Sequence, residues 1–183
     1  MKTARLELRP WNEADLASFA EISASSEVMR YYPEPLTSQQ SRELADKIQN
    51  KIKENGWGFW AVELLATKQF IGFVGLNEPD YQLPVKPCLE VGWRLGSEYW
   101  GKGYATEAAK KALEYAFTEL KTDKVYSFAS KINTKSIAVM QRIGMKDIKQ
   151  NFNHPLIPAP SPLSEHVLYR ITYQQWLEQS NEK

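Results

Sequence analysis

Three glycines and a lysine occupy a short stretch near the middle of this 183-residue chain. Gly96, Gly101 and Gly103 follow a strand-like segment and precede a helix-like one, and Lys102 lies between the last two glycines. Glycine lacks a Cβ, so the backbone can approach a ligand closely. The first N–H groups of a helix lack intrahelical partners and lie at the positive end of its dipole. The stretch therefore predicts a cradle for a phosphate or pyrophosphate group, with Lys102 at its rim.

The segments on either side of these glycines have different periods. The segment before them alternates, as a strand does, and the segment from 104 to 120 repeats apolar residues with the period of a helix. One side of the predicted strand carries Leu89, Val91, Trp93 and Leu95, and the other carries Cys88, Glu90, Gly92 and Arg94.

The glycine stretch departs from two common nucleotide-binding motifs. It lacks the Gly-Lys-Ser/Thr ending of a P-loop, and Thr106 stands where a dinucleotide fold has its third glycine or alanine. Both departures disfavour a nucleotide-binding protein, which would be revealed by competition from ATP or NAD.

The segment WGKGYA, from Trp100 to Ala105, resembles the pyrophosphate-binding motif of the GNAT acyltransferases, Gln/Arg-x-x-Gly-x-Gly/Ala. Gly103 and Ala105 match the last two fixed positions, whereas Trp100 stands where the family has Gln or Arg. The longer string YWGKGYATEA is similar to the Rim-type branch, which includes the N-terminal acetyltransferases of ribosomal proteins. NTKSIAVMQRIGM, which begins at Asn133, resembles a second family segment, N-x-x-S/A-I…K/R-x-G-F. With the opening RLELRPWNEADL, the resemblance covers residues 4–176.

This resemblance implies an α/β fold with a central mixed sheet and helices on both faces, in a single domain spanning 1–183. In the family, two central strands splay apart and acyl-CoA lies in the gap. The implied function is an acetyl-CoA-dependent N-acetyltransferase that moves acetyl directly to a primary amine, either a protein N-terminus or a small amine. The alternative is a non-catalytic acyl-CoA-binding or sensor module, because Met140 stands where the family often has its general-acid tyrosine.

The resemblance also implies roles for individual residues. Glu90 is the candidate general base, because a partly buried carboxylate with a raised pKa can take up a proton; the alternative is an ion pair with a nearby Lys or Arg, for instance Arg94. Asn133 can contact the cofactor, cap the helix that follows it, or do both. Ser136 is a weak substitute for the missing general acid, and a cofactor contact or a cap is its other role. The predicted cofactor-binding residues are Trp93, Arg94 and Leu95 through their backbone, Trp100, Gly101, Lys102, Gly103, Tyr104, Ala105, Thr106, Asn133 and Ser136.

Other residues that could take part in the reaction also have purely structural interpretations. Cys88 is either an acyl-carrying nucleophile or a small core residue, and the resemblance implies transfer without a covalent enzyme intermediate. His154 and His166 flank a proline-rich loop, 155–162, and they either line an acceptor pocket or pack the loop. Tyr31, Tyr32 and Phe152 are the aromatic candidates for the same pocket.

Periodicity, caps and turn residues place the remaining elements. Asn12 is the expected N-cap of a first helix, and Thr37 or Ser38 caps a second helix that Gly56 ends. The predicted strands are 4–9, 58–65, 69–76, 88–95, 125–130, 146–152 and 165–172, and the predicted helices are 12–24, 38–54, 104–120, 134–143 and 173–179.

Composition limits the classes of partner. The net charge is +1, there is one cysteine, and no segment approaches the roughly 20 apolar residues of a membrane span. We therefore expect a cytoplasmic protein without a disulfide, a nucleic-acid partner or a membrane anchor. The two histidines lack companion cysteines at metal-site spacing, so no metal is expected, and both a monomer and a homodimer remain open.

Overall fold

The computed structural model describes residues 1–158 and 160–181, so Ala159 of the proline-rich loop and the last two residues of the predicted 1–183 domain lie outside the described residues. The predicted α/β class with a mixed sheet is confirmed. The elements are β1 Leu6–Arg9, α1 Asp15–Ala24, α2 Ser38–Asn55, β2 Phe59–Leu64, β3 Phe70–Asn77, β4 Glu90–Leu95, α3 Tyr104–Thr118, β5 Lys124–Ser130, α4 Thr134–Arg142, β6 Lys146–Asp147, β7 Phe152–Asn153, β8 Glu165–Thr172 and α5 Tyr173–Asn181.

These elements form two compact units. The first comprises Met1–Leu76 and Gly92–Ala112, and the second comprises Asn77–Val91 and Leu113–Lys183. Both β4 and α3 contribute residues to each unit. No described helix is both long enough and apolar enough to cross a membrane.

The first unit has the strand order β1-β2-β3-β4. The predicted hairpin of β2 and β3 is confirmed as an antiparallel pair, with an irregularity in register between Val62 and Glu63. Gly72 of β3 has a φ of 132°, and a Cβ there would collide with the carbonyl oxygen of Arg94. Glycine at this position therefore allows β4 to lie closely against β3.

Two helix starts in the first unit differ in how well local signals predicted them. Thr37 is confirmed as the cap of α2, because its side chain accepts a hydrogen bond from the Gln40 N–H and the Gln40 side chain accepts one from the Thr37 N–H. Asn12 makes the hydrogen bonds expected of a cap, because its side-chain oxygen accepts from the Asp15 N–H and the Asp15 carboxylate accepts from the Asn12 N–H. Regular α1 nevertheless begins only at Asp15, after Ala14, whose side chain makes no cap. The Asp15 carboxylate also forms a bidentate ion pair with Arg9.

A core of aromatic and aliphatic side chains holds α1 and α2 in this unit. Trp11 lies at its centre and meets the Phe19 ring edge-on, with 5.0 Å between centroids. The buried members are Trp11, Phe19, Ile22, Val28, Met29, Ala45, Ile48, Ala61, Phe70 and Phe73.

The second unit has the strand order β4-β5-β8-β6, and β7 also pairs with β8. The parallel pairing of β4 with β5 is defined by Glu90 opposite Tyr126. Strands β5 and β8 pair antiparallel along their lengths, which places His166 opposite Ser130. The predicted strand 146–152 is wrong as one element, because a tight turn at Lys149, with φ 58°, separates β6 from β7.

Candidate active site

The glycine loop has the geometry of an anion cradle. Gly101 and Gly103 have φ values of 73° and 81°, and a Cβ at Gly101 would meet nothing within 4 Å. The Glu107 N–H donates to the Gly103 carbonyl at 3.0 Å, which is the first hydrogen bond of α3. The N–H groups of the three residues between them, 104–106, therefore have no intrahelical acceptor and point out of the helix start. This arrangement can bind a pyrophosphate through main-chain donors.

Arg5 and Glu107 hold this cradle, and sequence reasoning assigned neither of them a role. The Arg5 guanidinium donates to the Lys102 carbonyl at 3.0 Å, forms an ion pair with Glu107 at 2.7 Å and lies 4.6 Å from the centroid of the Tyr104 ring. The Thr3 hydroxyl donates to the other Glu107 oxygen at 2.6 Å. Burial alone would raise the pKa of Glu107, but the hydrogen bonds from Thr3 and Arg5 outweigh burial and lower it. These contacts tie β1 to the start of α3.

Lys102 and Trp100 have different positions in the loop. Lys102 is exposed, with its ammonium 5.7 Å from the centroid of the Tyr99 ring, so its charge is available at the rim. The Trp100 indole N–H donates to the Leu95 carbonyl at 2.9 Å, and its ring packs against the core of the first unit. Trp100 thus links the loop back to the end of β4.

The backbone of β4 separates the predicted pantetheine contacts into two groups. The Arg94 carbonyl lies against Gly72 of β3. Backbone groups of successive strand residues point to opposite sides, so those of Trp93 and Leu95 point away from β3. The geometry favours Trp93 and Leu95 over Arg94 as backbone partners of a ligand beside β4.

Glu90 is half-buried at the start of β4, in the second unit. Its Oε2 accepts a hydrogen bond from the Asn77 side-chain amide at 3.2 Å. The guanidinium of Arg94 forms no ion pair with any residue in 1–158 or 160–181, so the alternative role of Glu90 as its ion-pair partner is wrong. A carboxylate held by a neutral amide can still accept a proton.

Asn133 is confirmed as the N-cap of α4. Its side-chain oxygen accepts a hydrogen bond from the Ser136 N–H at 3.1 Å. Its side-chain NH₂ group donates to no group in the described part of the chain, so it is available to a ligand. Met140, on the same helix, is fully buried, and the helix therefore presents no proton donor at that position.

The two histidines come together in an aromatic cluster of the second unit. Their ring centroids are 4.8 Å apart, His154 Nε2 lies 3.2 Å from the Tyr81 hydroxyl, and His166 Nδ1–H donates to the Ser164 carbonyl at 3.0 Å. Burial lowers the pKa of both imidazoles, and the neighbouring His166 helps to lower that of His154 to about 4. Both rings are therefore neutral at pH 7. The cluster comprises Tyr81, Phe128, Phe152, His154 and His166.

Cys88 is buried, and its surroundings make its thiol unreactive. Burial, with the charges of Glu90 and Glu78, raises the pKa of the thiol to about 12. The thiolate, which is the nucleophilic form, is thus scarce at neutral pH. This agrees with the role of a small core residue.

Known proteins that are similar to this chain include several acetyltransferases. The family model described as "Acetyltransferase (GNAT) domain" matches residues 5–146. The FsC-acetyl coenzyme A-N(2)-transacetylase of Aspergillus fumigatus is 30% identical over 97% of this chain and 77% of the relative. The spermidine N(1)-acetyltransferase of Escherichia coli K12 is 33% identical over 76% of this chain and 72% of the relative. A crystal structure of a GNAT-family acetyltransferase from Bacillus anthracis has a TM-score of 0.78 at 27% identity, covering 95% of this chain and 98% of that one.

Proposed function

This chain belongs to the GNAT acetyltransferase family, and on that premise we propose which of its residues carry the acetyl transfer. It is an acetyl-CoA-dependent N-acetyltransferase that acts on an amine. The family match includes stretches of both compact units, which supports the proposal that 1–183 acts as one catalytic domain. The Rim-type branch, cytoplasmic location, lack of nucleic-acid and membrane partners, and monomeric or homodimeric state stay predictions.

The glycine loop is proposed to bind the pyrophosphate of acetyl-CoA. The open N–H groups at 104–106 supply directional donors, and Lys102 and Arg5 supply positive charge beside them. The pantetheine arm is proposed to hydrogen-bond with the backbone of Trp93 and Leu95, and the free NH₂ of Asn133 adds a further donor.

Transfer of acetyl to an ammonium ion releases two protons from its nitrogen, and the first must leave before the nitrogen can attack. An acceptor arrives mainly as an ammonium ion, which has no lone pair with which to attack the thioester carbonyl. We assign Glu90 as the base that takes this proton, directly or through one water, while Asn77 orients its carboxylate. The amine nitrogen then bonds to the carbonyl carbon and loses its second proton to water, and the carbon–sulfur bond breaks as the tetrahedral intermediate collapses to the amide. Because Met140 cannot supply a proton, we propose that CoA leaves as a thiolate, whose low basicity permits it.

The acceptor is a primary amine whose identity depends on two loops. The spermidine and FsC enzymes are named for different amines, so the shared scaffold does not select one acceptor. We propose that the loop between α1 and α2, with Tyr31 and Tyr32, and the loop 155–162, with the histidine cluster, recognise it.

The single observation that carries this proposal is that the first N–H groups of α3 have no intrahelical acceptor and directly follow two glycines of positive φ. Gly101→Glu tests it, because the substitution adds a side chain and a negative charge where nothing lies within 4 Å. Gly56→Glu is the matched control: Gly56 has φ 79° and equally open surroundings at the end of α2, so the backbone strain is similar.

Calorimetric titration with CoA and acetyl-CoA should show that Gly101→Glu weakens binding by at least about 100-fold, since an inserted carboxylate repels the pyrophosphate and blocks its donors. Gly56→Glu should leave the dissociation constant within about twofold, because Gly56 ends α2 and is not part of the glycine loop. Equal weakening in both variants, or no binding by the folded parent protein, would refute the proposed cofactor site.

A further inference from the structure

Arg94 is a buried cation without an anionic partner. The residue is 8% exposed, and no carboxylate in residues 1–158 or 160–181 forms an ion pair with its side chain. A guanidinium has five N–H donors. One donor, at Nη1, bonds to the Ser23 hydroxyl at 3.2 Å, and the buried Nε–H has no acceptor. Removing such a charge from water is costly, so a protein that only needed an apolar contact here would be better served by an uncharged side chain.

Three aromatic rings surround the guanidinium without replacing the missing acceptors. The centroids of Tyr32, Phe73 and Phe19 lie 4.6, 5.5 and 5.9 Å from its central carbon. These cation–π contacts stabilise the charge, but they leave most N–H groups without a hydrogen-bond acceptor. The rings and Ser23 therefore hold the guanidinium of Arg94 in place, while most of its N–H groups remain without an acceptor.

The position of the group indicates where a ligand would approach. Tyr32 belongs to the loop between α1 and α2, and it is 40% exposed, whereas the neighbouring Ser23 and Phe19 are fully buried. A ligand would therefore reach Arg94 from the side of this loop, which is one of the two loops proposed to recognise the acceptor.

We propose that Arg94, with Ser23 and Tyr32, binds a carboxylate carried by the amine acceptor. The inference rests on the proposed N-acetyltransferase function and names the chemical class of its substrate. The planar fork of arginine matches the two oxygens of a carboxylate, and such paired, charge-assisted hydrogen bonds are directional and strong. An acceptor of the amino-acid type, with an amine and a carboxylate, fits the site. A polyamine such as spermidine carries positive charge alone and is repelled by Arg94.

Pairs of amines that differ only in a carboxylate test the proposal. The probes are lysine with 1,5-diaminopentane, ornithine with 1,4-diaminobutane, and phenylalanine with phenethylamine, together with spermidine. Thiol release from acetyl-CoA gives kcat/KM for each, and calorimetric titration onto the protein–CoA complex gives binding without turnover. For at least one pair, kcat/KM of the carboxylate-bearing probe should exceed kcat/KM of its partner by about tenfold or more, as expected for hydrogen bonds to a charged group.

Arg94→Met should reduce the ratio of kcat/KM for the carboxylate-bearing probe to that for its partner to near one, chiefly by raising KM for the carboxylate-bearing probe. Arg94→Lys keeps the charge without the fork and should give an intermediate ratio. Arg42→Met is the matched control, because Arg42 is an exposed arginine of α2 that lies outside both proposed recognition loops. Its ratio should equal that of the parent protein.

Several results would overturn the proposal. They are a parent preference for the decarboxylated amine or for spermidine, equal binding of both members of every pair, and equal losses on both members in Arg94→Met. Weaker acetyl-CoA binding by Arg94→Met with an unchanged ratio would assign the arginine to the cofactor instead, which also overturns it. Failure of the N-acetyltransferase function itself is distinct, since the parent would then release no thiol with any amine, whether or not it binds CoA.

Discussion

The histidine cluster makes the stability of this protein depend on pH. The pKa of His154 falls from 6.5 to about 4 in the folded state, because the ring is partly buried and lies beside a second imidazole. Below pH 6.5 the unfolded chain therefore binds a proton that the folded chain does not. The free energy of unfolding contributed by this group is complete above pH 6.5 and is lost progressively as the pH falls towards 4.

The size of this effect follows from the same two pKa values. At pH 5 the unfolded imidazole is almost fully protonated, whereas the folded one stays almost fully neutral. Since pH 5 lies about 1.5 units below the unfolded pKa, and each unit corresponds to about 1.4 kcal/mol, His154 lowers the free energy of unfolding by about 2 kcal/mol between pH 7 and pH 5. Burial lowers the pKa of His166 too, so its contribution has the same sign.

Urea unfolding at pH 7 and pH 5 measures this loss. His154→Phe keeps a ring beside Phe152 and His166 but cannot titrate. The parent should lose about 2 kcal/mol more than this variant between the two pH values, because all other groups titrate in both proteins. Asn153→Ala, at the exposed neighbouring position, should follow the parent. Identical pH dependence in parent and His154→Phe would refute the buried, neutral state of His154.

Three further predictions concern the carboxylates and the cysteine. Glu90→Gln should lower kcat by about 100-fold or more while leaving acetyl-CoA affinity unchanged by calorimetry; unaltered turnover from pH 6 to 9 would remove Glu90 from the mechanism. Asp15→Asn should lower the free energy of unfolding by about 3 kcal/mol, because the 2%-exposed carboxylate pairs bidentately with Arg9. Glu13→Gln, which breaks an exposed ion pair, should cause no measurable change in urea unfolding, and equal effects would contradict the argument. Cys88→Ser should retain most of kcat, and complete loss of turnover in a folded variant would instead favour an acyl-cysteine intermediate.

Local chemistry determined the parts of this protein that can be recognised from sequence. The glycine loop needs positive φ at two positions and an open helix start, and both properties depend on residues that are neighbours in the chain. The same holds for the Thr37 cap of α2 and the Asn133 cap of α4, where each capping side chain reaches a residue three positions away. Alternating and helical periods likewise predicted the elements that position the loop.

Tertiary structure alone decided the long-range partners. The contact of Asp15 with Asn12 is local, three residues away, whereas its bidentate partner Arg9 lies on a strand that only the fold brings beside α1. Arg5 and Glu107 are far apart in sequence, and no pattern in the residues next to either of them indicates that they form an ion pair.

The same reason accounts for the buried cation and the histidines. Arg94 lies on an alternating strand where sequence allowed an ion pair with Glu90, yet packing of β4 near α1 surrounds it with aromatic rings and Ser23. His154 and His166 were separated by a loop of proline-rich sequence, and the pairing of β7 with β8 brings their rings together. Sequence thus determined the parts of the cofactor cradle that arise from backbone conformation within a few residues. The charge states and partners of the side chains depend on strand register and burial, which only the folded chain establishes.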